Sequence, residues 1–204
     1  MGIPVLVMGE SGSGKSTSLR NFEPDDIGIF NVAAKRLPFK KKLPTIDGAN
    51  YNIITASLKK NSKKTYVIDD ASYLMTFESF AMVNDVGFAK FTTFAINFYN
   101  LVQTAIKDTS PDTIVYFIMH TDRSDDGHLK AKTIGKMLDN QLTLEGLFSI
   151  VLLCKADGQK HYFETQSDGF STAKSPLDLF DREMDNDLKL VDTKIREYYD
   201  LAKE

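Results

Sequence analysis

The chain has 204 residues, 42% of them hydrophobic and 26% charged, with a net charge of −3 and one cysteine. A chain of this length buries roughly 70% of its unfolded surface, so it holds a core as one domain, residues 1–204, with no need of disulfides. The acidic total excludes a uniformly basic nucleic-acid binder, and no apolar run reaches the ~18 residues that a membrane span needs.

Residues 3–8, "IPVLVM", read as a buried strand, too short and with too little basic lead-in to be a secretory leader. A Gly-rich turn follows, then a short helix, "KSTSLRNF", stopped ahead of Pro24. Residues 27–33 predict a second strand, and "KRLPFKKKLP" a basic loop. "YNIITASLKKN" predicts a helix, residues 65–70 a third strand, and 72–83 and 88–107 two further helices. In the last of these, Phe91, Phe94, Ala95, Phe98, Leu101, Val102 and Ala105 recur at helical spacing, the pattern of a core-facing stripe. Residues 113–120 predict a fourth strand, and "TDRSDDGHLKAKTIG" a polar loop. "LFSIVLLCKA" and "KHYFETQ" flank "DGQ" as a hairpin, with Cys154 as a small core residue inside the first strand. A last helix carries Leu188, Val191, Ile195 and Tyr198 on one face. Strands alternating with helices predict an α/β fold, with a mostly parallel central sheet flanked by helices and an antiparallel hairpin near the C-terminal end. A lone cysteine fits a reducing, cytoplasmic setting.

The chemistry concentrates in "GESGSGKST", which matches G-x-x-x-x-G-K-[ST] between a buried strand and a helix, the context of a phosphate-binding loop. Gly9, Glu10, Ser11, Gly12, Ser13, Gly14, Lys15, Ser16 and Thr17 are the candidate nucleotide contacts. Backbone N–H groups there surround an anion at a helix N-terminus. Lys15 reaches the outer phosphates and Ser16 offers a hydroxyl to Mg²⁺. The strand "YVIDD" ends in two acids. Asp69 is the second Mg²⁺ anchor. Asp70 either orients an attacking water or caps the helix that follows. His120, at the end of the fourth strand, is placed to contact a γ-phosphate or to serve as a structural histidine. His128 and His161 have no partner at metal-ligand spacing.

With "GESGSGKST", "YVIDDASYLM", "TIVYFIMH", "KTIGKMLDNQL" and "TAKSP" in this order, the chain resembles small phage-encoded AAA/RecA-like P-loop ATP-binding proteins. These include the Sak-type single-strand annealing ATPases. The resemblance implies a RecA-like P-loop NTPase domain and an ATPase using ATP and Mg²⁺ in the cytoplasm of a bacterial host. It also implies a role in phage DNA recombination, annealing or replication, with single-stranded DNA as partner, and a homo-oligomer or recombination and replication proteins as further partners. Gly9 to Thr17 would hold nucleotide, Ser16 and Asp69 the metal, and Lys15, Asp70 and His120 would act near the γ-phosphate. RecA proper carries a glutamate after its second core strand; here Ala33 and Ala34 stand there, so catalysis would rest on Asp70 or be slow.

Single-stranded DNA needs cations and flat side chains. "KRLPFKKK" supplies Arg36, Phe39, Lys40 and Lys41, and "HLKAKTIGK" supplies Lys130, Lys132 and Lys136. Two other functions compete with a DNA-stimulated ATPase. One is a nucleotide-dependent interaction module with little hydrolysis. The other is a nucleotide kinase, which the scattered arginines disfavour because a kinase lid clusters them.

Overall fold

The structure is a computed structural model that describes residues 1–84, 87, 89–124, 126–134 and 143–201. Among these residues nine strands form one sheet: β1 (Ile3–Gly9), β2 (Ile27–Asn31), β3 (Thr45–Asp47), β4 (Thr65–Asp69), β5 (Ile114–Arg123), β6 (Leu129–Ala131), β7 (Ile150–Asp157), β8 (Lys160–Glu164) and β9 (Glu183–Asp185). The α-helices are α1 (Tyr51–Lys60), α2 (Ser72–Ala81), α3 (Ala89–Lys107) and α4 (Leu188–Tyr198). The strand order is β3-β2-β4-β5-β1-β7-β8-β9, with β6 paired to β5. The six strands from β3 to β7 run parallel, whereas β8, β9 and β6 are antiparallel additions. This is the expected mixed α/β architecture, with its hairpin near the C-terminal end.

The apolar runs of β1 and β5 are continuous because both faces of the sheet are covered. Leu6, Met8, Val115, Phe117 and Met119 pack under α1, α2 and α3. Val5, Val7, Tyr116 and Ile118 point the other way, against Leu19 and the α4 residues Leu188, Val191 and Ile195. The α3 stripe is core from Phe94 to Ala105, with Phe91 at its half-buried edge. In α4 the stripe stops one turn early, leaving Tyr198 42% exposed. Asn50 caps α1 by accepting from the Ile53 N–H, and Asp187 caps α4 by accepting from the N–H groups of Lys189 and Leu190.

Four expectations change. The segment after the Gly-rich loop is a 3-10 turn, Ser16–Asn21, in place of an α-helix. The loop expected after residue 120 is partly a hairpin: β5 runs on to Arg123 and folds back as β6, with Thr121 opposite Ala131. Its polar sequence follows from its exposed outer positions, such as Asp122 and Arg123, while Ala131 and Leu129 turn toward the core. The short strands β3 and β9, three residues each, extend the two edges of the sheet. The second predicted strand ends at Asn31, two residues early, although the Val32 N–H still reaches the Asp69 carbonyl. Among the described residues no helix is long and apolar enough to cross a membrane.

Candidate functional site at the carboxyl ends of the parallel strands

β1 lies between β5 and β7, and the chain leaves it toward one side of the sheet and returns on the other. Such a reversal opens a crevice at the carboxyl ends of parallel strands, where ligands of α/β sheets bind. Gly9 ends β1 in register with His120 of β5 and Cys154 of β7. β4, which ends in Asp69, is one strand further over, about 10 Å from β1 at the usual strand spacing. The 3-10 turn spans that gap: Ser16 Oγ donates to Asp69 Oδ1 at 2.9 Å.

Two glycines of the loop are required for different reasons. Gly14 has φ +100, a conformation L side chains avoid. Gly9 is required by close approach: a Cβ there would lie 2.5 Å from Ser13 Oγ and 2.6 Å from the Cys154 carbonyl. Behind the loop, residues far away in sequence hold it. The Ser13 carbonyl accepts from Cys154 Sγ at 3.1 Å and from His161 Nδ1 at 2.8 Å. The Gly14 carbonyl accepts from Asn186 Nδ2 at 3.2 Å. A trans peptide sets C=O and N–H on opposite sides. Tying these carbonyls down therefore turns the N–H groups of Gly14 and Lys15 away from their holders. Arg20 donates to the Asn186 carbonyl and to that of Thr17, closing the brace. Cys154, Asn186 and His161 were not legible as loop partners, since each lies on a separate element more than 130 residues downstream and no local pattern marks it.

Lys15 is folded into the loop, its Nζ donating to the carbonyls of Gly9 and Glu10 at 2.8 Å each. Burial lowers its pKa, only partly countered by the charges of Cys154, Asp70 and Asp69. Asp69 is pushed up to about 6 by burial and by the neighbouring Asp70 charge, against the Ser16 hydrogen bond. A buried carboxylate so poorly compensated, beside a hydroxyl, is a hard-oxygen pair that suits Mg²⁺. That ion takes one or two protein oxygens and completes its shell with phosphate and water. The residues therefore fit the metal even though no cluster of three or more acidic, histidine or cysteine ligands occurs among the described residues.

Asp70 has a left-handed backbone, φ 60, which asparagine and aspartate tolerate better than other side chains. It is no helix cap: α2 starts at Ser72 and has no side-chain cap bond. Its carboxylate instead meets Lys35 Nζ at 2.5 Å and His120 Nε2 at 3.2 Å. Burial alone would raise this carboxyl; His120 and Lys35 outweigh it and hold it below the usual range. The Ala71 N–H donates to the Ile118 carbonyl and the His120 N–H to Ser72 Oγ, bonds that fix the acid beside the histidine. The His120 contact has ion-pair distance but not hydrogen-bond angles. Nε2 thus joins Ser13 Oγ and Thr121 Oγ1 as buried polar atoms without a hydrogen-bond partner among the described residues. His120 and Thr121 line one cleft, and Ser13 lines the hollow on the other side of the loop.

The candidate DNA contacts fall in two places. Arg36, Phe39, Lys40 and Lys41 line a cleft of about 630 Å³ beside the carboxyl end of β2. Lys41 is already paired with Glu23 at 2.7 Å, and Phe39 packs partly into the core. Lys130 sits on β6 opposite Asp122, and Lys132 borders a second cleft of about 530 Å³ with Ser11, Tyr73 and His120. Lys136 lies outside the described residues. A third hollow, about 300 Å³, lies against Glu10–Ser13 and is walled by Arg123, Lys155 and Tyr162, with Arg123 paired to Glu10 at 3.3 Å. A further hollow, about 660 Å³, runs from Lys189 of α4 to Leu201 and is lined by none of these residues. Comparison of the chain with protein-family models gave no match, and comparison with curated proteins gave none.

Proposed function

We propose that the chain is a RecA-like P-loop ATPase that binds Mg·ATP at the β1–β5–β4 crevice and acts on single-stranded DNA in recombination, annealing or replication. The observation that carries this reading is the Ser16–Asp69 contact across β5. It joins the phosphate-loop motif to the acid pair although the two lie on non-adjacent strands. The strand order supports it, since a strand inserted between the loop strand and the acidic strand is the arrangement expected of a RecA-like core.

In this reading the loop amides and Lys15 bind the β- and γ-phosphates, Lys15 exchanging its two carbonyl partners for phosphate oxygens. Ser16 and Asp69 hold Mg²⁺, which when bound neutralises phosphate charge. Asp70 orients the attacking water and accepts its proton, and His120 offers Nε2 at the same end of the crevice. Two arginines are unavailable to a kinase lid: Arg20 is committed to Asn186, and Arg196 to Asp192 at the amino ends of β4 and β5. The interaction-module reading is favoured by one contact, Lys35 on Asp70, which occupies the carboxylate that hydrolysis needs.

The test is ATP binding and turnover, with and without single-stranded DNA, for wild type, Lys15→Ala and Asp70→Asn. The expected result is DNA-stimulated turnover in wild type, loss of nucleotide binding in Lys15→Ala, and binding without turnover in Asp70→Asn. Tight ATP binding with no turnover under any condition would select the interaction module.

A further inference from the structure

Lys35 faces two sites at once. Its ammonium is 2.5 Å from Asp70 Oδ2, and Lys35 is also one of the residues that line the cleft with Arg36, Lys40 and Lys42. Its backbone is fixed: Asn31 Nδ2 donates to the Lys35 carbonyl at 2.6 Å, and the Lys35 N–H donates to Asn31 Oδ1 at 3.2 Å. Asn31 is anchored in turn to Asp47 at 2.7 Å. The side chain has no such clamp to the backbone and is 57% exposed, while Asp70 is 6% exposed. The ammonium also lies over the face of Tyr73, 5.3 Å from the ring centre. Arg36, Lys40 and Lys42 make no ion pair among the described residues. The cleft therefore carries uncompensated positive charge, tempered by Asp47 at its edge.

We propose that Lys35 is a latch shared between the basic cleft and Asp70, and that the phosphodiester backbone of a single nucleic-acid strand releases it. This rests on the ATPase reading and assigns its regulation. With the cleft empty, the ammonium neutralises Asp70 and hinders it from orienting water. A strand lying along Arg36, Lys40 and Lys42 offers phosphate oxygens to Lys35 as well. A χ rotation then transfers the ammonium from carboxylate to phosphate, with no movement of the Asn31-clamped backbone. Asp70 keeps its contact with His120 and gains a free oxygen for water. The short side chains of Ala33 and Ala34 leave that position without a competing carboxylate.

The two anions compete for one cation, so the coupling is reciprocal and is readable without turnover. The experiment measures binding of labelled oligo(dT), without nucleotide, by wild type, Asp70→Asn, Lys35→Met and the double variant. Asp70→Asn is expected to tighten binding by about two- to five-fold, the range of a half-exposed ion pair. The gain should vanish in the Lys35→Met background. Lys35→Met alone should weaken binding and flatten the salt dependence by about 0.7 in log–log slope, the value of one single-strand phosphate contact. With ATP present, Lys35→Met should raise basal turnover and abolish its stimulation by oligo(dT). Unchanged affinity in Asp70→Asn, or a gain that persists without Lys35, overturns the latch. Equal release by duplex DNA or by inorganic polyphosphate overturns the assignment to a single strand. If wild type neither binds nor hydrolyses ATP, the ATPase reading fails, while the oligonucleotide affinities still decide whether Lys35 is shared.

Discussion

Gly9 marks how tightly the Gly-rich loop is built, because the space a methyl group would need is occupied by Ser13 Oγ and by the backbone carbonyl of Cys154. The hydroxyl can rotate; the carbonyl, held in β7, cannot. Gly9→Ala is therefore expected to lower stability by about 1–3 kcal/mol, the usual range for overpacking, and to weaken nucleotide binding. Denaturant titration and fluorescent-ATP binding check it, and wild-type values for both would show that β1 and β7 have room to part. Cys154 offers a pH test at the same place. Burial pushes its thiol up to about 11 from an ordinary 9.0, despite the partners Ser13, Lys15 and Asn186. The folded chain thus keeps a proton that the unfolded chain loses between those values. Its contribution to stability is full below about pH 9 and falls as pH rises toward 11. Over that window Cys154→Ala should show a shallower decline in melting temperature than wild type, and iodoacetamide at pH 8 should label the wild-type thiol only after unfolding. Neither glycine role nor thiol partner is written in the motif itself. The pattern marked Gly9 and Lys15 because the spacing is local; what presses on them comes from β7, β8 and the segment before α4.

At the scale of elements, α4 is fastened to the sheet by a buried polar knot. Asp192 accepts from Thr65 Oγ1 at 2.9 Å, Tyr116 OH at 3.3 Å and Arg196 Nε at 2.7 Å. Arg196 also donates to the carbonyls of Asp112 and Lys64, at the entries to β5 and β4. Asp192→Ala would strand the fully buried Tyr116 hydroxyl and leave the guanidinium without its carboxylate. Breaking a buried pair from one side costs about 3–5 kcal/mol, so thermal unfolding should come much earlier, while Asp192→Asn, which retains an acceptor, should lose less. Because the knot lies away from the crevice, ATP affinity of the folded fraction should stay at the wild-type value; a matching loss of affinity would mean that α4 also positions the loop through Asn186. The α4 stripe of Leu188, Val191 and Ile195 was readable from periodicity, as were β1, β4, β5 and β7 from their apolar runs, since burial imposes both patterns. β3, β6 and β9 were not. Each is three residues long, at an edge of the sheet or paired to the end of β5, and takes its strand geometry from the partner it pairs with.

The whole molecule places its chemistry where three separately rooted strands end, so a ligand there acts as a tie between them. β1 brings the loop, β4 the acid pair and β5 His120, with the Ser16–Asp69 and His120–Asp70 contacts as their side-chain links. Under the proposed function, a nucleotide held by the loop, with Asp69 and Ser16 holding its metal, would bind the folded state alone. At a concentration 100 times its Kd it should add about 2.7 kcal/mol of stability, which for a chain of this size corresponds to a rise in melting temperature of roughly 5–10 °C. Mg·ATP is expected to give that rise, and ATP with chelator a smaller one because the acid pair is then left facing phosphate without a cation between. Lys15→Ala should give neither. The comparison of Mg·ATP with Mg²⁺ alone carries the argument, since Asp69 with Ser16 supplies too few oxygens to hold the ion without phosphate. A full shift with Mg²⁺ alone would place a complete metal site in the chain itself, and an undiminished shift in Lys15→Ala would place the nucleotide somewhere other than the phosphate loop.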